Sequence, residues 1–130
     1  MIGLDTNVIV RYIMQDDPKQ SPKATKVVES LTQQKPGFVS IVSIVELYWV
    51  LTSCYNLTRQ EAGQALSALL RIKEIVVENA EQVLKALRVF EHGQADFPDC
   101  LIERSCATAG CEKTVTFDAG ASKHAAMVLL

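Results

Sequence analysis

Five acidic residues carry most of the chemistry that this sequence could perform. Asp5 follows the short apolar start Met1–Leu4, and Glu46 sits inside the apolar run Ile41–Leu51. Asp96 and Asp99 bracket Phe97-Pro98, and Asp118 follows Thr114–Phe117. If Asp5, Glu46, Asp99 and Asp118 converge, they form a pocket of hard oxygen donors. Two such charges ~4 Å apart repel by roughly 4 kcal/mol at an effective dielectric of 20. A divalent cation relieves that repulsion. An all-oxygen set with few protein ligands per ion suits Mg²⁺ or Mn²⁺, which keep coordinated waters. A water on such an ion, near several carboxylates, is equipped to hydrolyse a phosphodiester. No phosphate-cradling glycine loop, no Gly-x-Gly-x-x-Gly and no serine nucleophile elbow competes for the reading.

Three of these acids also have plainer explanations. The helix around Glu46 is apolar on nearly every side, so the pattern predicts burial. A buried glutamate needs a partner, and a salt bridge to Arg or Lys would serve. Asp99, in the first turn of a helix opened by Pro98, complements the helix dipole. Asp96 could cap that helix or be a solvated loop acid.

The elements that must position these residues alternate. Met1–Leu4 reads as a first strand, and Val8–Met14 as a short helix stopped by Gln15-Asp16-Asp17-Pro18. Ser21-Pro22 has the form of a helix start, with Ala24, Val27, Val28 and Leu31 on one face. Phe38-Val39 is a second strand, and Ser40 or Ser43 can cap the helix that runs to about Cys54. Thr58-x-x-Glu61 is a capping box before Leu66, Leu69 and Leu70. Ile75–Val77 is a third strand. Asn79 can cap a helix with Val83, Leu84, Leu87 and Phe90 inward, ended by Gly93. Pro98 opens a helix with Leu101, Ile102 and Ala109 inward and Gly110 as its stop. Thr114–Phe117 is a fourth strand and Met127–Leu130 a short fifth. Strands that alternate with helices predict an α/β fold: one parallel sheet of four to five strands with helices on both faces. Ligand sites of such sheets lie beyond the carboxyl ends of the strands. Asp5 and Asp118 are both expected there, on one edge.

The chain's length predicts a single domain over residues 1–130. Apolar residues make up 48%, which is globular, and 13 Lys and Arg against 15 Asp and Glu give a net charge of −2. That balance excludes a grip on nucleic acid through bulk positive charge, so any such role needs a local site. The longest apolar runs are far short of the ~20 residues a bilayer needs. The start MIGLDTN lacks a secretory pattern, so a cytoplasmic protein with no membrane association is expected. Cys54, Cys100, Cys106 and Cys111 form no Cys-x-x-Cys, and only His92 and His124 could join them, so reduced thiols are expected rather than zinc ligands. Val8, Ile9, Tyr12, Ile13 and Met14 crowd one short helix, which suggests that part of it meets another chain.

The ordered set Leu4-Asp5-Thr6-Asn7, Ser43-x-x-Glu46, Asp96-Phe97-Pro98-Asp99-Cys100-Leu101-Ile102 and Thr116-Phe117-Asp118 resembles the PIN domain family. It is most similar to the VapC-type toxins of toxin–antitoxin pairs, from Ile2 to Leu130. The resemblance implies a three-layer PIN-like fold and a Mg²⁺- or Mn²⁺-dependent endoribonuclease acting through a metal-bound water. It implies that Asp5, Glu46, Asp99 and Asp118 are the catalytic, metal-binding acids and that Asp96 is an additional one. Asn7 and Thr116 match polar positions that support the acids. Strand alternation would put Thr116 and Asp118 on one side, within reach of a supporting hydrogen bond. An RNA substrate, a small antitoxin and a homodimer are implied as partners. Asp118-Ala119-Gly120-Ala121-Ser122 departs from the family in being small and flexible. Arg11, Lys85, Arg88, Arg104 and Lys123 are generic candidates for phosphate contacts. His92 and His124 read as surface, and Tyr48 and Trp49 as core or dimer contacts.

Two other functions compete. A catalytically inactive PIN-fold module that binds RNA or protein would not need all four acids. A phosphoacceptor signalling domain would need an aspartate after the third strand and a lysine after a late one. Here Val77 is followed by Glu78-Asn79 and Phe117 by Asp118, which disfavours it.

Overall fold

Parallel strands and helices alternate along the chain, as expected of an α/β protein. The computed structural model describes all 130 residues, Met1–Leu130. They gather into two units, Met1–Ala80 and Glu81–Leu130, each with its own parallel sheet.

The first unit runs β1 (Ile2–Gly3), α1 (Thr6–Met14), α2 (Gln20–Glu29), β2 (Gly37–Val39), α3 (Ile41–Trp49), α4 (Arg59–Leu70) and β3 (Ile75–Val77). Its strands lie in the order β1-β2-β3, with Ile2 opposite Gly37 and Val39 opposite Val77. Gly37 allows a close approach. A Cβ there would come within 2.9 Å of both Leu31 Cδ1 and Leu4 Cδ1. Ile9, Val39, Ile44, Leu47, Leu51 and Leu66 form the centre of this unit's core.

Local chemistry sets the helix boundaries. Ser40 caps α3 by accepting the Ser43 N–H at 3.1 Å. Thr58 and Glu61 form the expected capping box on α4. The start of α2 differs from expectation. Asp17 Oδ1 accepts the N–H groups of Lys19 at 2.9 Å and Gln20 at 2.7 Å, so the aspartate takes the capping role assigned to Ser21. Ser21 is instead buried, and its Oγ accepts the Asp17 N–H at 3.3 Å. Val27, expected inward, is 38% exposed. Beyond Trp49 the helix widens into a π turn, Val50–Cys54, in which the Tyr55 N–H reaches Val50 O at 3.2 Å. Thr52 Oγ1 donates back to Tyr48 O at 2.9 Å. Of the apolar residues on α1, Ile9 is internal while Val8, Tyr12, Ile13 and Met14 are half-buried.

The second unit holds α5 (Ala80–His92, whose first residue closes the first unit), α6 (Phe97–Thr108), β4 (Val115–Thr116), α7 (Ala119–His124) and β5 (Val128–Leu129). Val83, Ala86, Leu87 and Phe90 face its core, and Phe90 meets Phe97 edge to face at 6.1 Å. Leu84 and Ile102, expected inward, are 37% and 50% exposed, and Ala109 is exposed as well. Burial on α5 follows Val83, Ala86, Leu87 and Phe90, a narrower stripe than the apolar pattern suggested. Asn79 is not an extended cap but sits at φ 49°. Gly110, at φ 93°, ends α6 in a conformation that favours glycine.

β4 pairs in parallel with β5 through Val115–Val128 and Thr116–Leu129. The one sheet of four to five strands that was expected is therefore divided into two parallel sheets of three and two. The stretch Asp118–Ser122, expected to be flexible, instead opens the short helix α7, which Asp118 caps.

Candidate active site

In the first unit, the strand ends have different tasks. β2 hands over to Ser40, the cap of α3. β3 hands over to Glu78, whose Oε1 accepts the Ile41 N–H at 2.8 Å and so holds the start of α3 as well. Just past β1, Asp5 occupies the N-cap position of α1 in extended conformation (φ −72°, ψ 157°), yet its side chain makes no capping hydrogen bond. It is exposed.

The next residue, Thr6, is buried at 6% exposure. Its hydroxyl donates to Glu46 Oε1 at 2.7 Å, across 40 positions of sequence. Glu46 itself is exposed, contrary to the burial expected from its apolar surroundings. The reason lies in the face that α3 buries. Ser43, Ile44, Leu47 and Tyr48 turn inward. Val42, Glu46 and Trp49 share the outer face, with Val42 65% and Trp49 46% exposed. The ion pairs join Arg11 to Asp16, Lys85 to Glu81 and Arg104 to Glu103, so Glu46 has no salt bridge.

Asp96, Asp99 and Asp118 fall in the second unit. Asp96 caps α6, and its Oδ1 accepts the Asp99 N–H at 2.8 Å. Burial raises the Asp99 carboxyl above the usual aspartate range, and the negative charges of Asp96 and Asp118 push it further the same way. Asp118 caps α7 through the Ala121 N–H at 2.9 Å. Thr116 does reach Asp118, but through the main chain: its Oγ1 accepts the Asp118 N–H at 3.0 Å. Asn7 is exposed and lines a depression of about 280 Å³ together with Val8, Arg11 and Lys23. The hydroxyl that supports an acid beside Asp5 thus belongs to Thr6, which sequence reasoning passed over. No local signal in the sequence pointed to it, because the bond joins residues 40 positions apart.

Most of the candidate phosphate contacts are engaged. Arg11 donates to Gln20 Oε1 at 2.8 Å and to the Tyr55 hydroxyl at 3.0 Å, beside Asp16 at 3.5 Å. Lys85 and Arg104 pair with acids on their own helices, whereas Arg88 and Lys123 are exposed without an ion pair. His92 Nδ1 lies 2.8 Å from Arg88 O. All four cysteines are free thiols, and only Cys100 is buried.

In neither unit do three or more His, Cys, Asp or Glu side chains gather closely enough to hold a metal ion by themselves. The donor chemistry nonetheless fits a hard divalent cation. All five candidates are carboxylates, and a cation would offset both the burial and the repulsion from Asp96 and Asp118 that raise Asp99.

Comparison with known proteins adds three findings. The family model described as the PIN domain matches residues 2–127. No curated protein matches the chain. Among solved structures, the chain is similar to the crystal structure of Mycobacterium tuberculosis VapC20, a sarcin-ricin loop cleaving toxin. The identity is 17%, the match covers 100% of this chain and 98% of that one, and the TM-score is 0.46.

Proposed function

We propose, from the premise that this chain belongs to the PIN domain family, that it is an endoribonuclease dependent on Mg²⁺ or Mn²⁺. The observation that carries this reading is the match of the PIN domain model to residues 2–127, with Asp96 and Asp118 near enough to act electrostatically on Asp99. Burial together with the charges of Asp96 and Asp118 raises its pKa, an arrangement that disfavours the bare anion and welcomes a cation. The uncapped Asp5 carboxylate supports the same reading.

In the first unit Asp5 and Glu46, and in the second unit Asp99 and Asp118 with Asp96 as an additional donor, are the residues that would act as cation ligands. When bound, the cation supplies a Lewis acid for the phosphate and makes a coordinated water a stronger nucleophile at neutral pH. The protein's part is placement. Asp96 fixes the main chain at Asp99, and Thr116 fixes it at Asp118. Glu46 has one oxygen held by Thr6 and the other open to the cation.

RNA is the substrate, and the protein acts as the VapC-type toxin of a toxin–antitoxin pair: a cytoplasmic homodimer inhibited by a small antitoxin. No helix is long and apolar enough to cross a membrane. The reading of residues 1–130 as one domain rests on the family model running through both units. The alternative, an inactive PIN-fold module that binds RNA or protein, draws on the absence of a three-donor cluster within either unit. Incubation with mixed structured RNAs separates the two. Cleavage that needs Mn²⁺ and stops with a chelator supports the enzyme. Binding without cleavage at any Mg²⁺ or Mn²⁺ concentration overturns it.

A further inference from the structure

We infer that Thr6 is a positioning residue, whose hydroxyl fixes the orientation of the Glu46 carboxylate for cation binding. The inference rests on the metal-dependent reading above. A threonine at the first position of a helix needs no distant partner, because its hydroxyl can bond locally or meet water. Here the side chain is buried, and its hydroxyl is committed at 2.7 Å to an acid 40 residues away. Glu46 is exposed, has no ion pair and lies on the outer face of α3. Without Thr6 it would sample several rotamers in water.

The bond removes that freedom. It holds Oε1 and leaves Oε2 for a ligand, and hydrogen-bonded partners of this kind set the direction and basicity of ligating carboxylates. The preceding residue gives a second reason to place this pair in the site. Asp5 and Thr6 sit side by side at the start of α1, the one with a carboxylate unspent on capping, the other reaching to Glu46. A simpler account is that a buried hydroxyl has found an acceptor. That account predicts that removing the hydroxyl leaves metal binding untouched.

Thr6→Val removes the hydroxyl at nearly constant volume, and Thr6→Ser restores it without the methyl. Mn²⁺ affinity is measured by the electron paramagnetic resonance signal of free Mn²⁺, beside RNA cleavage and the metal-free melting temperature. Wild type, Glu46→Gln and both Thr6 variants are compared. We expect Thr6→Val to weaken Mn²⁺ binding and cleavage by about 10–100-fold, the scale for losing a hydrogen bond to a metal ligand. Its metal-free melting temperature stays near that of wild type, and Thr6→Ser recovers most of the loss. If Thr6→Val binds Mn²⁺ like wild type while Glu46→Gln does not, the role of Thr6 is overturned and the metal reading stands. If wild type itself does not bind Mn²⁺, both fall together. If Thr6→Ser binds as poorly as Thr6→Val, packing rather than the hydroxyl is responsible, and the inference is overturned.

Discussion

Asp96 accepts the backbone N–H of Asp99 at 2.8 Å while its charge raises the Asp99 pKa, so one carboxylate both anchors its neighbour and opposes its ionisation. The two effects separate by substitution. Asp96→Asn keeps a good N-cap and removes the charge, so the Asp99 pKa should fall while stability changes little. Asp96→Ala also loses the cap and should cost about 1 kcal/mol. Carboxyl titration by NMR and thermal melts of the two variants check both expectations.

Asp17 and Asp99 titrate with opposite signs. The N–H groups of Gln20 and Lys19 lower the Asp17 pKa below 3.8. The stability it contributes is therefore present above that value and is lost as pH falls through its folded pKa. Asp99 is raised above 3.8, so the folded state holds its proton more tightly than the unfolded chain does. Its ionisation costs stability above its folded pKa, and that cost fades as pH falls through it. Asp17→Asn should flatten the acid limb of the stability profile. Asp99→Asn should raise metal-free stability at neutral pH and steepen the loss in acid. Melting temperatures followed from about pH 7 to about pH 3 test the pair.

Millimolar Mn²⁺ should raise the melting temperature of wild type. At a concentration 100 times the dissociation constant, binding to the folded form alone contributes about 2.7 kcal/mol, a shift on the order of 10 °C for a chain of this size. An unchanged melting curve would sink the metal reading.

Asp5→Asn and Glu46→Gln should each lower RNA cleavage by on the order of 10²-fold or more. Neither should reduce metal-free stability beyond about 0.5 kcal/mol, since both residues are exposed and neither forms an ion pair. In Glu46→Gln the amide oxygen would still accept the Thr6 hydroxyl. A large metal-free loss in that variant, with cleavage retained on the folded fraction, would show a structural role instead.

Much of the positioning was legible because it depends on local chemistry. Ser40, Thr58, Asp96 and Gly110 act where short-range rules put them. Asp5 falls just past its strand because an apolar run ends there. Glu46 was misplaced because an apolar sequence around a residue does not say which helix face is buried. Here Val42 and Trp49 share the exposed face with it. Asp17 displaced Ser21 as a cap because both can bond the same turn, and only the path of the chain decides between them. The Thr6–Glu46 bond lay outside local rules altogether, since it joins two elements far apart in sequence.

The π turn at Val50–Cys54 amounts to an α-helix carrying a supernumerary residue. A further residue inserted there could not be absorbed in the same way. Everything after it would then swing by roughly 100° about the axis and advance by about 1.5 Å. The first casualty would be Tyr55, whose hydroxyl receives the Arg11 Nη1 bond, and with it the clasp that joins Arg11 to the end of this helix. The length of the segment is therefore set by a contact made outside it. Single-residue insertions between 50 and 54 should be tolerated worse than insertions in the polar stretch 32–35, where no such phase has to be kept.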